Sequence, residues 1–549
     1  MKKKNVCILK LLLILIAMLS VILTYIPISS AVSSTKIIDI VEITDLHGYL
    51  YNAVKMQDGS TLKQQIGAIL ANEVKKIKNN NPNTLILAAG DMFQGTPVSN
   101  ILKGKPVIEV MKSIGVDAMT IGNHEYDWGI DAVIDVKRKT LKNSNIPVLG
   151  ANIYDKDTKK VVNYCQPYVV LKKGNVKIGI IGVVDNKEFP NIILPTYIKN
   201  VEFKDPVFIV NNLARKLRSE GVKIIIVLAH MGGYMNDNVL TGNIAEFAKK
   251  VKGVDIILGG HTHSIVNTSI NKIPVGIANC QGKGYTHIKL KLENGIAKTV
   301  KQQYIDLTPF FNINNPPLDR EVLSIIEKAD KQVGQQFSKV IGTAVTDITR
   351  EQRAKPYGDS ALGNWAADAI REFAHTDFAF TNNGGLRIDL KKGPITLGDI
   401  YQLMPFDNTI VILKMKGSQI KTILEEAVQD NGKGIQVSGL MFKYDIKKPS
   451  MNRVFDMRMS DGTPIEMNKI YTVATNNFMA TGGDGFKGFT DPSVAKTYTD
   501  TYKLLRDVFI EKIQKQKELR PSLERRIFSA EEIPSSLHEY LNESMLIMK

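Results

Sequence analysis

The chain has very little cysteine and tryptophan. Its 549 residues include 3 cysteines and 2 tryptophans, and the first cysteine, Cys7, lies close to the amino terminus. Only Cys165 and Cys280 remain beyond it, and the sequence leaves open whether these two pair. So few thiols exclude a disulfide-rich scaffold.

Long hydrophobic runs are also scarce, and the one that stands out is at the amino terminus. Three lysines follow Met1 and precede an apolar stretch from Ile8 to Ile28, after which come small residues ending at Ala31. This order predicts a secretory signal peptide over residues 1–31. Because the stretch is long enough to span a bilayer, an uncleaved membrane anchor is the alternative, in which case this segment is the only membrane contact that we expect.

Acidic residues are the rarer of the two charged kinds. The chain has 71 Lys and Arg against 55 Asp and Glu, a formal net charge of +16, and removal of residues 1–31 takes away four lysines and no acid, leaving +12. A basic balance favours anionic substrates or surfaces. Because the basic residues are scattered and no DNA-reading helix or aromatic-basic platform is found, we expect no nucleic-acid polymer as partner.

The chain is too long for a single core, and its pattern predicts two α/β domains. From residue 36 to 307, short apolar runs alternate with helical periodicity, which indicates a layered α/β domain. Its predicted strands are Ile37–Ile43, Thr84–Ala88, Lys177–Val183, Lys223–Leu228 and Asp255–Leu258, and its predicted helices include Leu62–Lys78 and Val207–Glu220.

A proline-rich break and a helical stretch separate this unit from the next. Residues 308–337 are interpreted as a linker and a connecting helix, residues 338–528 as a second, mixed α/β domain, and residues 529–549 as a tail without an assigned role. The predicted elements of the second domain are the helices Ala361–Phe373 and Ser418–Gln429 and the strands Phe378–Thr381 and Ile470–Thr475.

Five of the eight histidines lie in short blocks that each follow an apolar, β-branched run. The blocks are Asp45-Leu46-His47-Gly48, Gly122-Asn123-His124-Glu125, His230 and His261-Thr262-His263, and Asp91 ends a further apolar run. Such placement at strand ends predicts one metal-centred active site. The mixed oxygen and nitrogen ligands suit Zn, Mn, Co or Fe, and they are too many for one tetrahedral ion but fit two metal ions that share a carboxylate.

The blocks also carry a resemblance. The calcineurin-like metallophosphoesterases have a similar series of motifs, in the order of Asp45-x-His47, Gly90-Asp91, Gly122-Asn123-His124-Glu125, His230 and Gly260-His261-x-His263. The longer stretches Gly90–Pro97 and Gly122–Gly129 resemble more narrowly the secreted 5′-nucleotidase and 2′,3′-cyclic-nucleotide phosphodiesterase family, over nearly all of residues 36–528. The likeness implies a four-layer α/β/β/α metallophosphoesterase domain and a 5′-nucleotidase carboxy-terminal domain.

The same likeness implies roles for the block residues. One divalent metal ion would be held by Asp45, His47, Asp91 and His263, and the other by Asp91, Asn123, His230 and His261, with Asp91 shared. Several similar 5′-nucleotidases have Gln or Asn at the position of His263, which leaves the metal preference open. His124, aided by Asp127, would stabilise the phosphoryl transition state or assist the leaving oxygen.

The second domain would select the substrate. Thr381–Arg387 resembles the family's nucleotide-binding Asn-Gly-Gly-Gly-x-Arg loop, with Asn383 in place of one glycine. By this likeness the phenyl rings of Phe406 and Phe478 would sandwich a base with little base selectivity. The other implied substrate contacts are Asn382, Gly385, Arg387, Asn408, Gly439 and Asp484, with Arg353 favoured as a further phosphate ligand.

These features predict an exported enzyme with two metal ions that hydrolyses nucleoside 5′-monophosphates to nucleoside and phosphate by attack of a metal-bound hydroxide. The main alternative is a 2′,3′-cyclic-nucleotide 2′-phosphodiesterase with 3′-nucleotidase activity, and nucleoside diphosphates or nucleotide sugars are further candidate substrates. A non-catalytic surface-binding protein of the same fold is the alternative from a different class. The resemblance also implies that the second domain rotates to carry nucleotide to the metals, with the hinge in the helix from about Asp319 to Phe337.

Overall fold

The computed structural model describes residues 36–55, 61–129, 146–293, 296–352 and 357–530. The predicted signal peptide, Arg353 and residues 531–549 of the predicted tail lie outside these ranges. No helix within the described ranges is long and apolar enough to cross a membrane. Cys165 and Cys280 are both buried, and no disulfide joins them.

Two six-stranded sheets form the centre of the first half of the chain. The first contains, in spatial order, Ile296–Asp306, Gly284–Glu293, Lys36–Ile43, Leu85–Ala88, Ala118–Thr120 and Val148–Leu149. The second contains Ile265–Ile270, Ile273–Ala278, Ile256–Leu258, Ile224–His230, Val176–Val184 and Tyr168–Lys173. The central strands of each sheet are parallel and almost wholly buried, as expected of strands covered on both faces.

Alternation along the strands divides the side chains between two cores. In Lys36–Ile43, Ile38 and Ile40 join a cluster between the two sheets, whereas Val41 and Ile43 pack on the outer side against helices. Helices cover each outer face, and the flanking helices are Ile66–Asn80, Pro97–Ile101, Lys105–Ile114, Phe189–Ile192, Pro206–Ser219 and Asn243–Lys250. The predicted four-layer α/β/β/α arrangement is therefore confirmed.

The second half is built around a five-stranded mixed sheet. Its strands, in spatial order, are Ile435–Ser438, Phe378–Asn382, Ile470–Asn476, Thr409–Lys416 and Thr499–Leu504. Two three-stranded sheets complete it, with the strands Gly393–Thr396, Val340–Ala344 and Glu518–Leu519 in one and Val454–Met459, Leu440–Tyr444 and Ile527–Ser529 in the other. The helices are Ala361–Ala374, Leu397–Leu403, Gly417–Ala427, Asn477–Ala480, Pro492–Ala495 and Leu505–Gln516.

One long helix, Arg320–Phe337, lies between the two halves. It begins where the Asp319 carboxylate accepts the amide of Val322, an N-cap that satisfies a free helical donor. Its apolar face contacts helices of the first half, and its end packs with Leu397 and Tyr401 of the second. The predicted connecting helix is therefore present, while its role as a hinge and the predicted domain limits remain predictions.

One sequence-based boundary was wrong. Leu62 was predicted to begin a helix, but Thr61–Gln64 is a strand paired antiparallel with Asn52–Lys55, and the helix begins only at Ile66. The apolar spacing from Leu62 onward fits a helix, but backbone pairing with a preceding strand satisfies the amides of this segment instead. The described part of the first half contains three short two-stranded sheets of this kind.

Candidate active site

Parallel strands place the histidine blocks at one edge of the sandwich. Lys36–Ile43, Leu85–Ala88 and Ala118–Thr120 run parallel in one sheet, and Ile224–His230 and Ile256–Leu258 run parallel in the other. Each block or candidate ligand lies at or just after the carboxyl end of one of these strands, and the carboxyl ends of parallel strands meet on the same side of a sheet. The structure brings all seven residues proposed as metal ligands to this edge.

Three of them form the first group. Asp45, His47 and His263 each offer a ligand atom, and these atoms lie within 4.8 Å of one another. The Nε2 atoms of His47 and His263 face each other at 2.9 Å, and His263 Nε2 lies 3.7 Å from Asp45 Oδ1. His47 Nδ1 lies 2.8 Å from the carbonyl oxygen of Gln94 and is suited to donate to it, which leaves Nε2 free to act as a ligand.

A second group lies beside the first, with the Asp91 carboxylate between them. Ligand atoms of Asp91, His230 and His261 lie within 4.8 Å of one another, and so do those of His47, Asp91 and His124. Asn123 joins the second group because its side-chain oxygen lies 3.0 Å from His261 Nδ1. Asp91 Oδ2 lies 3.1 Å from His230 Nε2 and 4.0 Å from His47 Nε2, so this carboxylate stands between the two groups as a bridging ligand would.

The donor set fits divalent metal ions. His230 Nε2 is buried, and within the described residues it has no hydrogen-bond partner although Asp91 is near. Burial lowers the pKa of His47 well below its usual value, so its imidazole is neutral, as ligation requires. Burial raises the pKa of Asp45 to about 7 and the Asp91 carboxylate adds to this shift, whereas His230 and His261 oppose it.

Backbone strain is concentrated in the candidate ligands. Asp45, His47, Asp91, His261 and His263 all have a positive φ, between 48° and 75°. The left-handed region costs an L-residue with a side chain about 1 kcal/mol or more, and such residues cluster at functional sites. Five strained positions among seven candidate ligands indicate that ligand direction, rather than chain stability, determines these turns.

A buried carboxylate that the sequence analysis did not single out holds two of these loops together. Glu125 accepts the amides of Asp91 at 2.9 Å and Gly122 at 2.6 Å with Oε2, and the amide of Met92 at 2.9 Å with Oε1. Burial and the Asp91 carboxylate raise the pKa of Glu125 to about 7. The signal in the sequence was its place in the Gly122–Glu125 motif, but that motif does not reveal the three amides.

His124 stands beside both groups with its own carboxylate. Its Nδ1 lies 2.7 Å from Asp127 Oδ2, and its backbone amide donates to Asp91 Oδ1 at 2.8 Å. Burial alone would lower the pKa of His124, but the carboxylates of Asp127 and Asp91 outweigh it and raise the pKa above its usual value. A largely buried imidazole whose pKa is raised in this way is equipped, when protonated, to donate a proton to a developing oxyanion.

Glu188 is a further residue that the sequence analysis missed. Its Oε2 lies 2.8 Å from His261 Nε2, and the His261 interaction lowers the pKa of Glu188, so a charged carboxylate faces the ring. With Nε2–H donating to this carboxylate, Nδ1 of His261 is left as the ligand atom, on the side of Asn123. Glu188 is 73 residues distant from His261 in the chain, and no motif surrounds it.

A cavity of about 330 Å³ opens beside His124, between the two halves of the chain. We call it the nucleoside pocket. Its lining combines residues of the first half with residues predicted to contact substrate, including Asn123, His124, Asp127, His261, Asn382, Gly385, Arg387, Phe406, Asn408, Phe478 and Asp484. The structure thus brings seven of the nine predicted substrate contacts together with both predicted catalytic residues.

Hydrogen bonds fix the floor of this pocket. Asn382 Nδ2 donates to Asp484 Oδ2 at 2.6 Å and, in turn, Asn382 Oδ1 accepts from Asn476 at 3.1 Å. Burial raises the pKa of Asp484, whereas Asn382 opposes the shift. The guanidinium of Arg387 lies 5.8 Å from the centroid of Phe406, within the range of a cation–π contact.

Two further predicted contacts remain predictions. Arg353 is outside the described residues. Gly439 does not line the pocket; its φ is 86°, and a Cβ there would stand 2.2 Å from the Asp377 carbonyl oxygen, which explains the glycine by itself. Its contact with a base therefore remains a prediction.

Two basic residues at or near the nucleoside pocket were not predicted from the sequence. Lys433 lines the nucleoside pocket and its side chain is exposed. Arg506 supports the loop of Phe406 from behind, donating to the carbonyl oxygens of Met404 at 3.1 Å and Phe406 at 3.2 Å. Neither residue falls in a motif, so only the fold could reveal their places.

Comparison with known proteins gives the class of the molecule. Residues 38–264 match the family described as calcineurin-like phosphoesterase, and residues 340–491 match the 5′-nucleotidase carboxy-terminal domain. Together with the metal-ligand groups, this defines a metal-dependent phosphoric ester hydrolase that uses two divalent metal ions.

Individual relatives identify the family within this class of hydrolases. Snake venom 5′-nucleotidase of Gloydius brevicauda is 30% identical over 465 residues, which are 76% of this chain and 76% of that protein. Endonuclease YhcR of Bacillus subtilis is 33% identical over 461 residues, and this chain spans only 37% of its length. The crystal structure of a 5′-nucleotidase precursor from Thermus thermophilus matches with a TM-score of 0.78 and 26% identity, covering 91% of this chain and 100% of that one. The chain belongs to the 5′-nucleotidase family.

Proposed function

We propose that the protein is a 5′-nucleotidase that hydrolyses nucleoside 5′-monophosphates to nucleoside and phosphate. One observation supports this most directly: a single pocket of about 330 Å³ is lined both by His124 and His261 of the first half and by Phe406, Phe478 and Asp484 of the second. A nucleoside held by the second set presents its phosphate to the first. The volume suits one nucleoside, because small-ligand pockets begin at about 300 Å³.

Different side chains would bind the base, the ribose and the phosphate. Phe406 and Phe478 would stack on the base, and the Asp484 carboxylate would accept hydrogen bonds from ribose hydroxyls. Arg387 would bind the phosphate, because a guanidinium matches phosphate oxygens with paired donors. His124, whose pKa is raised by the Asp127 carboxylate, would donate a proton to the oxygen that leaves with the nucleoside.

The candidate ligands would hold two metal ions. One ion would be held by Asp45, His47, Asp91 and His263, and the other by Asp91, Asn123, His230 and His261. When bound, such a pair clamps the phosphoryl group and activates water for attack. Zn, Mn, Co and Fe all suit these oxygen and nitrogen ligands.

Export is part of the proposal. Residues 1–31 have the composition of a signal peptide, and one relative is a snake venom 5′-nucleotidase. The enzyme would then act on nucleotides outside the cytoplasm.

The test is phosphate release from AMP by the purified protein with Mn²⁺ or Zn²⁺, and with chelator. Release from AMP that chelator abolishes and metal restores would support the proposal. Release from 2′,3′-cyclic AMP or 3′-AMP but not from AMP would instead support the phosphodiesterase alternative, since the same pocket would serve it.

A further inference from the structure

Arg506 is a buried arginine whose side chain binds a single loop. It is 5% exposed, and its Nη1 atom donates to the carbonyl oxygens of Met404 at 3.1 Å and Phe406 at 3.2 Å. Its Nη2 atom donates to Asp407 Oδ1 at 2.7 Å. A buried guanidinium is stable only where its donors have acceptors. Displacement of residues 404–407 would therefore leave this charge without these partners.

The helix that carries Arg506 holds the same loop at one more point. The backbone amide of Leu505, at the start of that helix, donates to the Asn408 carbonyl oxygen at 2.9 Å. Three of the five carbonyl oxygens of residues 404–408 thus accept from Leu505 or Arg506. The backbone of this loop is therefore fixed to one helix of the second half.

The loop determines where the ring of Phe406 lies. This residue is half-buried, because part of its ring packs on the core of the second half while the ring also lines the nucleoside pocket. A stacking ring must lie parallel to its partner at a fixed distance. Because a phenyl ring has no polar atom that could fix its plane, the backbone of the loop has to do so.

Two aromatic rings connect Arg506 with the helix between the two halves. The Cζ atom of Arg506 lies 4.2 Å from the ring centroid of Tyr401, within the range of a cation–π contact. The Tyr401 ring meets that of Phe337 edge to face, with centroids 4.9 Å apart and planes inclined by 78°. Phe337 is the last residue of the helix Arg320–Phe337. The guanidinium therefore binds the loop through its donors and rests on a ring that contacts this helix.

We propose that Arg506 is a positioning residue for base recognition. It holds the Phe406 ring where a base can stack, and Tyr401 and Phe337 make that position depend on the end of the helix between the two halves. This deepens the proposed function and rests on it, since Phe406 is assigned there to the base. Arg506 is not among the described residues that line the nucleoside pocket, so it acts through the loop and not on the substrate.

The main variant is Arg506→Lys, which keeps the charge but loses the planar fork that reaches two carbonyl oxygens and a carboxylate. The matched control is Arg453→Lys. Arg453 is also 5% exposed, donates to the carbonyl oxygens of Lys448 at 3.1 Å and Val428 at 2.8 Å, and pairs with Asp430. It is not among the residues that line the nucleoside pocket. Thermal unfolding measures the loss of stability in each variant.

A second pair of variants tests the ring under the guanidinium. Tyr401→Leu removes the aromatic contacts with Arg506 and Phe337, whereas Tyr401→Phe keeps the ring and should restore wild-type behaviour. These variants leave the buried charge in place, so they test the inference even if Arg506→Lys does not fold.

The substrates are AMP and ribose 5-phosphate, which carries the same phosphate ester without a base. Arg506→Lys should raise KM for AMP about fivefold or more, the lower end of what stacking on one ring contributes, with a smaller change in kcat. The ratio of kcat/KM for AMP to that for ribose 5-phosphate should fall about fivefold or more. Tyr401→Leu should lower this ratio too, while Arg453→Lys should leave it within about twofold.

A double mutant shows whether the effect passes through the ring. In a Phe406→Ala background, Arg506→Lys should change the same ratio less than about twofold, because the ring that it positions is gone. The inference is overturned if Arg506→Lys affects both substrates equally, or if its effect on the ratio persists without the Phe406 ring. Wild-type behaviour of Tyr401→Leu would overturn the connection to the helix.

Binding of adenosine, measured by titration calorimetry, separates this inference from the proposed function. Adenosine binding that is about fivefold or more weaker in Arg506→Lys, together with no phosphate release from AMP by the wild type, would refute the 5′-nucleotidase proposal and support the positioning role. Phosphate release from AMP with equal adenosine affinity in the wild type and in Arg506→Lys would do the opposite.

Discussion

The imidazole ring of His124 stacks on the phenyl ring of Phe406, with centroids 5.8 Å apart and planes inclined by 21°. The two residues come from different halves of the chain, and Asn100 donates to the Pro405 carbonyl oxygen at 3.3 Å beside them. The residue proposed to act on the phosphate and a residue proposed to hold the base are thus in direct contact. This contact links recognition of the base to the chemistry.

Replacement of His124 should separate proton donation from metal binding. We expect His124→Ala to lower kcat for AMP by about 10²–10⁴-fold, the usual contribution of a general acid. With p-nitrophenyl phosphate, whose leaving oxygen needs no proton, the loss should be much smaller. Equal losses of activity with both substrates would contradict the leaving-group role. The metal content of the variant, measured by elemental analysis, should equal that of the wild type.

Replacement of the stacking rings should affect nucleotides selectively. Stacking on an aromatic side chain contributes about 1–3 kcal/mol per base, so Phe478→Ala should raise KM for AMP by about 5–150-fold. Phosphate release from p-nitrophenyl phosphate, which has no base, should change little. Phe478→Tyr keeps the ring and is the control; if it behaves like Phe478→Ala, stacking is not what the ring contributes.

Glu188 should act through His261 on metal affinity. Glu188→Gln keeps the size of the side chain but removes the charge that accepts from His261 Nε2 at 2.8 Å. Loss of such a partner typically weakens metal binding about 10–100-fold. Titration calorimetry with Zn²⁺ measures this without reference to activity, and Glu246→Gln, at an exposed acid outside the site, is the control. Unchanged affinity in Glu188→Gln would show that the contact is incidental.

Domain rotation can be tested directly. If the second half turns about the helix Arg320–Phe337, the distance between spin labels on opposite halves should change when nucleotide and metal are added. Exposed Glu220 and Lys496 are suitable positions for cysteine substitution and labelling, while a pair at Glu220 and Lys249, both in the first half, is the control. A distance distribution that does not respond to nucleotide in the first pair would contradict the hinge.

The sequence predicted the histidine-rich edge well because strand-end blocks are local features. Asp45 and His47 are two residues apart, and parallel pairing then brings their strand beside that of Asp91. Glu188 and Lys433 reach the site only because separate loops meet there, so no spacing in the chain reveals them.

The strained backbone of the ligand turns could not be predicted from the sequence either, because the residue types Asp and His do not indicate a positive φ. They make a prediction about stability. His263 has φ 53° and a side chain 30% exposed, so its removal opens little cavity. In the metal-free protein, His263→Gly should be more stable than His263→Ala by about 1 kcal/mol, because alanine keeps the left-handed strain and glycine relieves it.

At a position with a negative φ, the alanine variant should instead be more stable than the glycine variant. Glu220 has φ −83° and is exposed, and there glycine should be less stable than alanine by about 0.5–1 kcal/mol, through its greater loss of backbone entropy on folding. Urea denaturation of the four metal-free variants gives both differences. The prediction is wrong if the glycine and alanine variants have equal free energies of unfolding at residue 263 but different ones at residue 220. In that case the turn at residue 263 relaxes to an unstrained conformation once the histidine side chain is removed.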